Sequence, residues 1–249
     1  MPVEVEQEDG VVVVRLAREE KRNAIDAEMT SAIDGALNAF EDDDAALVAI
    51  VTGGPPVFCA GTDIASGSGR PTERGGEYGI IRRRSPKPII AAVEGAAYGG
   101  GFEIAMACDL IVASEDARFG LPEVRRGLVA TSAGLFRAPQ MLPVNVAREL
   151  LLTGEPMDAA RAERLGIVNR LTSSGGAVEA ARTLAEQIVA GAPTSIRQTL
   201  AAVNGLVRRE DELGWDATES ARQIVWASED REEGVRAFFE RRPPDWPGR

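Results

Sequence analysis

The sequence predicts an α/β protein, a core of stacked β-β-α turns followed by a purely helical region. Three observations carry this. The runs Ala46 to Thr52 and Pro88 to Val93 are continuously apolar, as strands covered on both faces of a parallel sheet are. Each empties into a glycine-rich loop, and strands alternate with helices as far as Leu171. From Ala177 onward only helical periodicity remains, so residues 1–190 are assigned to the α/β core and 191–249 to a C-terminal helical region.

Taken in order, Val3 to Val5 and Val11 to Leu16 read as a hairpin turning at Asp9-Gly10. Asp26 is placed to cap a helix running to about Glu41. Just before it, Lys21 and Arg22 form a small cationic spot, read equally as a solvated loop or a binding contact. Ala46 to Thr52 opens into Gly53-Gly54-Pro55-Pro56, which forbids regular structure, and then into Ala60-Gly61-Thr62-Asp63. A small-residue loop at the carboxyl end of a parallel strand is where α/β sheets place ligands, and its N–H groups suit an anionic oxygen. Ser66 to Gly76 is expected to be mobile, and Tyr78 to Ser85 to form a helix with a solvated face of Arg82, Arg83 and Arg84.

After the strand Pro88 to Val93, Gly95 to Gly101 is read as a turn into a short apolar helix. Gly99-Gly100-Gly101 exposes N–H groups at the helix start, but GAAYGGG lacks the spacing of a dinucleotide-binding loop. Asp109 to Ala113 is the next strand, Ala117 to Gly120 a short extended piece, and Pro122 the start of another helix. Thr131 to Met141, Val144 to Leu152 and MDAARAERLG read as helices, and Ile167 to Leu171 as a closing strand. The helices beyond carry apolar residues that need a surface to bury against, for which a partner subunit is the candidate.

Composition narrows the chemistry. With 39 acidic and 28 basic residues, a net charge of −11 and an isoelectric point near 4.7, the chain lacks the broad basic face of a nucleic-acid binder. No run is long and apolar enough to span a membrane, and the acidic N-terminus shows no signal peptide. Cys59 and Cys108 lie far apart in apolar segments, which points to reduced, buried thiols and a cytoplasmic location. The chain has no histidine, which excludes Ser-His-Asp and Cys-His relays and every His-ligated metal site.

Two carboxylates stand out against this background. Glu103 is the one polar side chain between Gly101 and Cys108, and Glu123 directly follows Leu121-Pro122. A glutamate in a first helical turn is favoured by the helix dipole alone. One forced into apolar surroundings has its charged form disfavoured and its pKa raised toward the working pH of a general acid or base.

In this order and spacing VFCAGTDI, PIIAAVEGAAYGGGFEIAMACDL, FGLPEVRRGL and SEDREEGVRAFFERRPPDW resemble the enoyl-CoA hydratase/isomerase (crotonase) family over essentially the whole chain. The resemblance implies a spiral of repeated β-β-α units with a C-terminal trimerisation region, a homotrimer or dimer of trimers, and acyl-CoA thioester substrates. It places an oxyanion hole at the N–H groups of Thr62 and Gly100 and the hydratase glutamates at Glu103 and Glu123. It sets the CoA site at Ala24, Ala60, Gly61, Asp63, Ile64 and Gly99, with Lys21 and Arg22 toward the phosphates, and with Phe238 and Arg241 supplied by a neighbouring subunit. No metal or redox cofactor is implied, coenzyme A being part of the substrate. The retained pair of glutamates favours hydration of an enoyl-CoA over isomerisation or over mere acyl-CoA binding. Ala130-Thr131 stands where hydratases usually have Pro-Gly, in a loop expected to orient Glu123; this opens a specialised dehydratase acting on a substrate such as carnitinyl-CoA.

Overall fold

The computed structural model describes residues 1–249. Its chain winds so that most turns deliver one strand to each of two sheets. The larger sheet takes β1 (Val3–Glu8), β2 (Val11–Leu16), β3 (Val48–Thr52), β5 (Ile89–Val93), β7 (Leu110–Ser114) and β10 (Arg170–Thr172), in that spatial order. The smaller takes β4 (Val57–Cys59), β6 (Ala96–Tyr98), β8 (Arg118–Gly120) and β9 (Met157–Asp158). Only the β1–β2 hairpin and the β8–β9 pair are antiparallel.

The continuous apolar strands are explained by cover on both faces. Val12, Val14, Val51, Ala91, Val93 and Ala113 point into the main core with Phe58, Phe102 and Phe119. Their alternates, Val11, Val13, Ile50, Ile90 and Val112, pack under Ala177, Ala181 and Ala185 of α6 (Ala177–Val189). Alanine at every fourth position keeps that helix face shallow, so the helix can lie close to the sheet. The first helix, α1 (Ala27–Asp42), starts where Asp26 accepts the Met29 N–H, and it buries Met29, Ile33, Leu37 and Phe40.

Several expectations need correction. β4 and β6 fall inside segments read as loops, because three residues are too few to show a two-residue alternation. Met157–Asp158 is a strand ahead of α5 (Ala159–Arg164) rather than helix. The closing strand begins later than Ile167, since Ile167 and Val168 are buried in the core and Asn169 bridges to Ile111 through both its backbone and its side chain.

Tyr78 to Ser85 is not a helix: only a single 3-10 turn, Glu77–Gly79, forms there, with Tyr78 and Gly79 at positive φ. Nor is Arg83 solvated. It is buried, paired with Asp34 and Glu41 of α1, and donates to the Gly79 carbonyl. Ser66 to Gly76 is tied down as well. Thr30 Oγ1 donates to the Ser68 carbonyl, Thr72 Oγ1 to Asp34, and Arg74 pairs with Glu41 and Asp42.

The remaining helices are α2 (Gly100–Ala107), α3 (Gly134–Met141), α4 (Val144–Thr153), α7 (Pro193–Val207), α8 (Asp211–Trp226) and α9 (Glu229–Glu240). α7 buries none of its residues, whereas α8 leans on α3, and α9 lies against the turn Pro122–Arg126.

Candidate active site

Three segments following strands of the smaller sheet meet at one cavity of about 450 Å³. After β4, Ile25 bonds to both neighbours of Thr62: its N–H donates to the Gly61 carbonyl, and its own carbonyl accepts the Asp63 N–H. In an extended segment alternate residues face opposite ways, so the Thr62 N–H is turned from Ile25 toward the cavity. It has no acceptor within the chain.

After β6, Gly99 takes a φ of 53° that a side chain would resist, and α2 begins. The Gly100 N–H belongs to the helix's unpaired first turn and likewise has no acceptor. The two loops touch: a Cβ on Gly61, whose φ is 88°, would fall 2.8 Å from the Gly100 nitrogen. Two residues with free N–H groups, Thr62 and Gly100, thus line the same cavity on touching loops.

Glu103 follows in the first turn of α2 and is 2% exposed. Its Oε1 accepts the N–H groups of Ser132 and Gly134, each at 2.8 Å, presented by a tight turn in which Ala133 has a φ of 78°. The loop containing Ala130-Thr131 therefore anchors Glu103, not Glu123 as the sequence had led one to expect. Glu123 lies in the turn Pro122–Arg126 after β8, and its Oε2 is buried without a hydrogen-bond partner. Its other oxygen comes within 3.1 Å of where a Gly99 Cβ would be.

Burial raises the pKa of both acids. For Glu103 the neighbouring Glu123 charge adds to this, against the N–H groups of Gly134 and Ser132 and the Arg137 charge; for Glu123 its own backbone N–H and Arg126 oppose it. Both are thereby held above the ordinary carboxylate range, as a general acid or base working near neutral pH requires.

Tyr78 completes the group. Its hydroxyl is 2.8 Å from Thr62 Oγ1 and 2.6 Å from the position of a Gly100 Cβ. Burial and then the Glu103 charge push its pKa up, so it remains a neutral hydroxyl. Its site is held at a φ of 54°, unusual for a bulky residue.

Of the residues expected from sequence, Ala60, Gly61, Thr62, Asp63, Ile64, Gly99, Gly100, Glu103 and Glu123 all line the cavity. Asp63 does so already paired with Arg18. Lys21 and Arg22 are exposed and lie outside the lining, on the strap whose Arg22 carbonyl accepts the Ala60 N–H; Ala24 is on the same strap. Phe238 and Arg241, expected from a neighbouring subunit, are also outside it. In this chain α9 folds onto its own subunit's cavity rim, Phe238 lies against Arg126, and Arg241 is an exposed left-handed C-cap.

Arg126, Trp226 and Arg231 line the cavity without having been singled out. Only the paired arginines of FGLPEVRRGL gave any hint of them.

Known proteins resemble the chain in both sequence and fold. The family model for enoyl-CoA hydratase/isomerase matches residues 6–249. A carnitinyl-CoA dehydratase of Salmonella typhi is 42% identical over 246 residues, 92% of each chain. Among solved structures, a carnitinyl-CoA dehydratase from Mycobacterium avium 104 superposes with a TM-score of 0.93 at 39% identity, over 100% of this chain and 99% of that one. An enoyl-CoA hydratase from Mycobacterium tuberculosis H37Rv gives 0.80 at 40%, with the same coverage. The chain is thus a crotonase-fold protein and belongs to the enoyl-CoA hydratase/isomerase family, as a hydro-lyase.

Proposed function

We propose that the protein reversibly adds water across the α,β double bond of an enoyl-CoA thioester, with Thr62, Gly100, Glu103 and Glu123 as its working groups. The observation that carries this is Glu123, whose buried Oε2 has no partner, lining the same cavity as Glu103 and the residues with two free N–H groups. The thioester oxygen accepts from the Thr62 and Gly100 N–H groups, which draws electron density from the β-carbon and stabilises the enolate-like transition state. One such donor is worth on the order of 3 kcal/mol of barrier.

Hydrogen bonding divides the labour between the acids. Burial and the neighbouring charge raise Glu103 at least as far as Glu123, but the two N–H donors on Glu103 favour its charged form once the pair holds one proton, whereas Oε2 of Glu123 has no donor and suits the proton. Glu103 takes a proton from water as the hydroxyl adds to the β-carbon, and Glu123 gives its proton to the α-carbon. Water then carries the proton back from Glu103 to Glu123. The names of relatives support a second reading, in which the same machinery run in reverse dehydrates a 3-hydroxyacyl-CoA such as carnitinyl-CoA.

The test is hydration of crotonyl-CoA, followed by loss of enoyl thioester absorbance, with Glu103→Gln and Glu123→Gln. Each should lose about a hundredfold or more in kcat. Full activity in either would remove that residue from the mechanism. Isomerisation is separated by reaction in oxygen-labelled water, since only hydration puts the label in the product.

A further inference from the structure

Two arginines enter the cavity beside Glu123, and neither has an anionic partner. Arg126 comes from the turn Pro122–Arg126 and Arg231 from α9; both line the cavity, and no carboxylate lies within ion-pair distance of either. The Arg231 Nε is buried and makes no hydrogen bond. Each guanidinium is backed by a ring, Arg126 by Phe238 at 5.0 Å and Arg231 by Trp226 at 5.3 Å. Stacking of this kind restrains the guanidinium plane while leaving its edge donors free. The backbones are locked together too, since a Cβ on Gly234 would fall 2.2 Å from the Arg126 carbonyl oxygen and one on Gly127 3.0 Å from the Arg231 Cα.

The other charged groups of the cavity do not neutralise them. Asp63 is engaged by Arg18 and Glu77 by Arg82. Glu123 acts on Arg126 only from beyond ion-pair distance. An acidic chain, net −11, therefore keeps an uncompensated positive edge at its cavity. A ring-backed, partly desolvated guanidinium offers a carboxylate a matching fork and charge, and this cavity is lined by two.

We infer that Arg126 and Arg231 bind a carboxylate at the far end of the acyl group, so that the preferred substrates are CoA monoesters of dicarboxylic acids. This rests on the cavity being the acyl-CoA site. The arginines belong to elements that carry none of the Ala60–Ile64 loop, and Leu128, Val129 and Trp226 beside them offer an apolar wall to the chain between. Both arginines disfavour a quaternary ammonium group, so this inference weighs for the first reading of the function and against carnitinyl-CoA as the substrate of the second.

Titration calorimetry with unreactive saturated esters tests it: glutaryl-, adipoyl- and suberyl-CoA against pentanoyl-, hexanoyl- and octanoyl-CoA, with γ-trimethylammoniobutanoyl-CoA as the cationic counterpart. The best carboxylated ester should bind about tenfold or more tighter than its neutral match, and the cationic ester weakest. Arg126→Gln/Arg231→Gln should close that gap. Equal affinities in the unmodified protein, or a gap that persists in the double variant, would overturn the assignment. Free CoA is the second arm: if the double variant weakens free CoA as much as the esters, the arginines hold a CoA phosphate and the carboxylate assignment fails. Binding of no ester at all would instead sink the acyl-CoA reading of the cavity.

Discussion

At the scale of single residues, the site is a contest between desolvation and hydrogen bonding. Glu123 loses it: with Oε2 buried and without a partner, its pKa is raised by desolvation. The sign of the stability effect follows. An acid whose pKa is higher folded than unfolded keeps its proton in the native state while the unfolded chain has lost it, so its contribution falls as pH rises from the ordinary carboxylate range to the raised value. Glu123→Gln should therefore gain in melting temperature over the parent more at pH ~8 than at pH ~5; a gain that is the same at both would show that Glu123 titrates normally. Tyr78 acts differently, through the 2.8 Å contact with Thr62 Oγ1, which steadies the residue whose N–H is proposed to hold the thioester oxygen. Tyr78→Phe should lower kcat about fivefold with little change in KM, near the ~1 kcal/mol of one hydrogen bond. If the contact is the cause, Tyr78→Phe/Thr62→Val will be no worse than the poorer single variant, while full additivity would argue against it. Glu103 and Glu123 were legible in the sequence because a charge inside an apolar segment announces itself. The pocket-lining segment from Tyr78 was also expected from sequence, but the contact of Tyr78 with Thr62 was not, since it depends on a left-handed turn fixed by Gly79 and by the buried Arg83.

At the scale of elements, the loops after β4, β6 and β8 converge because β4, β6 and β8 lie in one small sheet. The sequence revealed the loops through their glycines but concealed two of the strands that aim them, which are only three residues long. The contact between α1 and the segment around Tyr78 was hidden for another reason: three consecutive arginines look alike, yet Arg82 stacks on Trp215 while Arg83 is buried between Asp34 and Glu41. Glu41 is itself only 6% exposed, and without Arg83 it keeps only the pair with Arg74, whose own guanidinium lies largely in water. Arg83→Ala should cost about 3 kcal/mol or more in urea unfolding, whereas Arg74→Ala, which breaks a 41% exposed arginine's pairs, should cost about 1 kcal/mol or less. Comparable losses would mean that burial of the ion pair is not what holds this segment.

At the scale of the molecule, the apolar load of the last three helices is unbalanced. Leu206 of α7 and Ile224 of α8 are each 75% exposed, Leu213 is 69% and Val207 56% exposed, and α7 buries nothing. Isolated exposed apolar side chains are ordinary, but several along consecutive helices form a surface that water disfavours and that a symmetric partner covers. The expectation of a trimer or dimer of trimers follows from this face joined to the family resemblance, and sedimentation equilibrium decides it: a mass at a multiple of three times the 26.5 kDa chain is expected. Leu206→Asp/Ile224→Asp should release single chains if these faces are the contact, and a monomeric parent would end the argument. Because α8 and α9 also bring Trp226 and Arg231 to the cavity, dissociation should loosen that wall. Acyl-CoA affinity should then fall with the assembled fraction as protein concentration is lowered, and an affinity independent of concentration across the dissociation range would uncouple the helical region's two tasks.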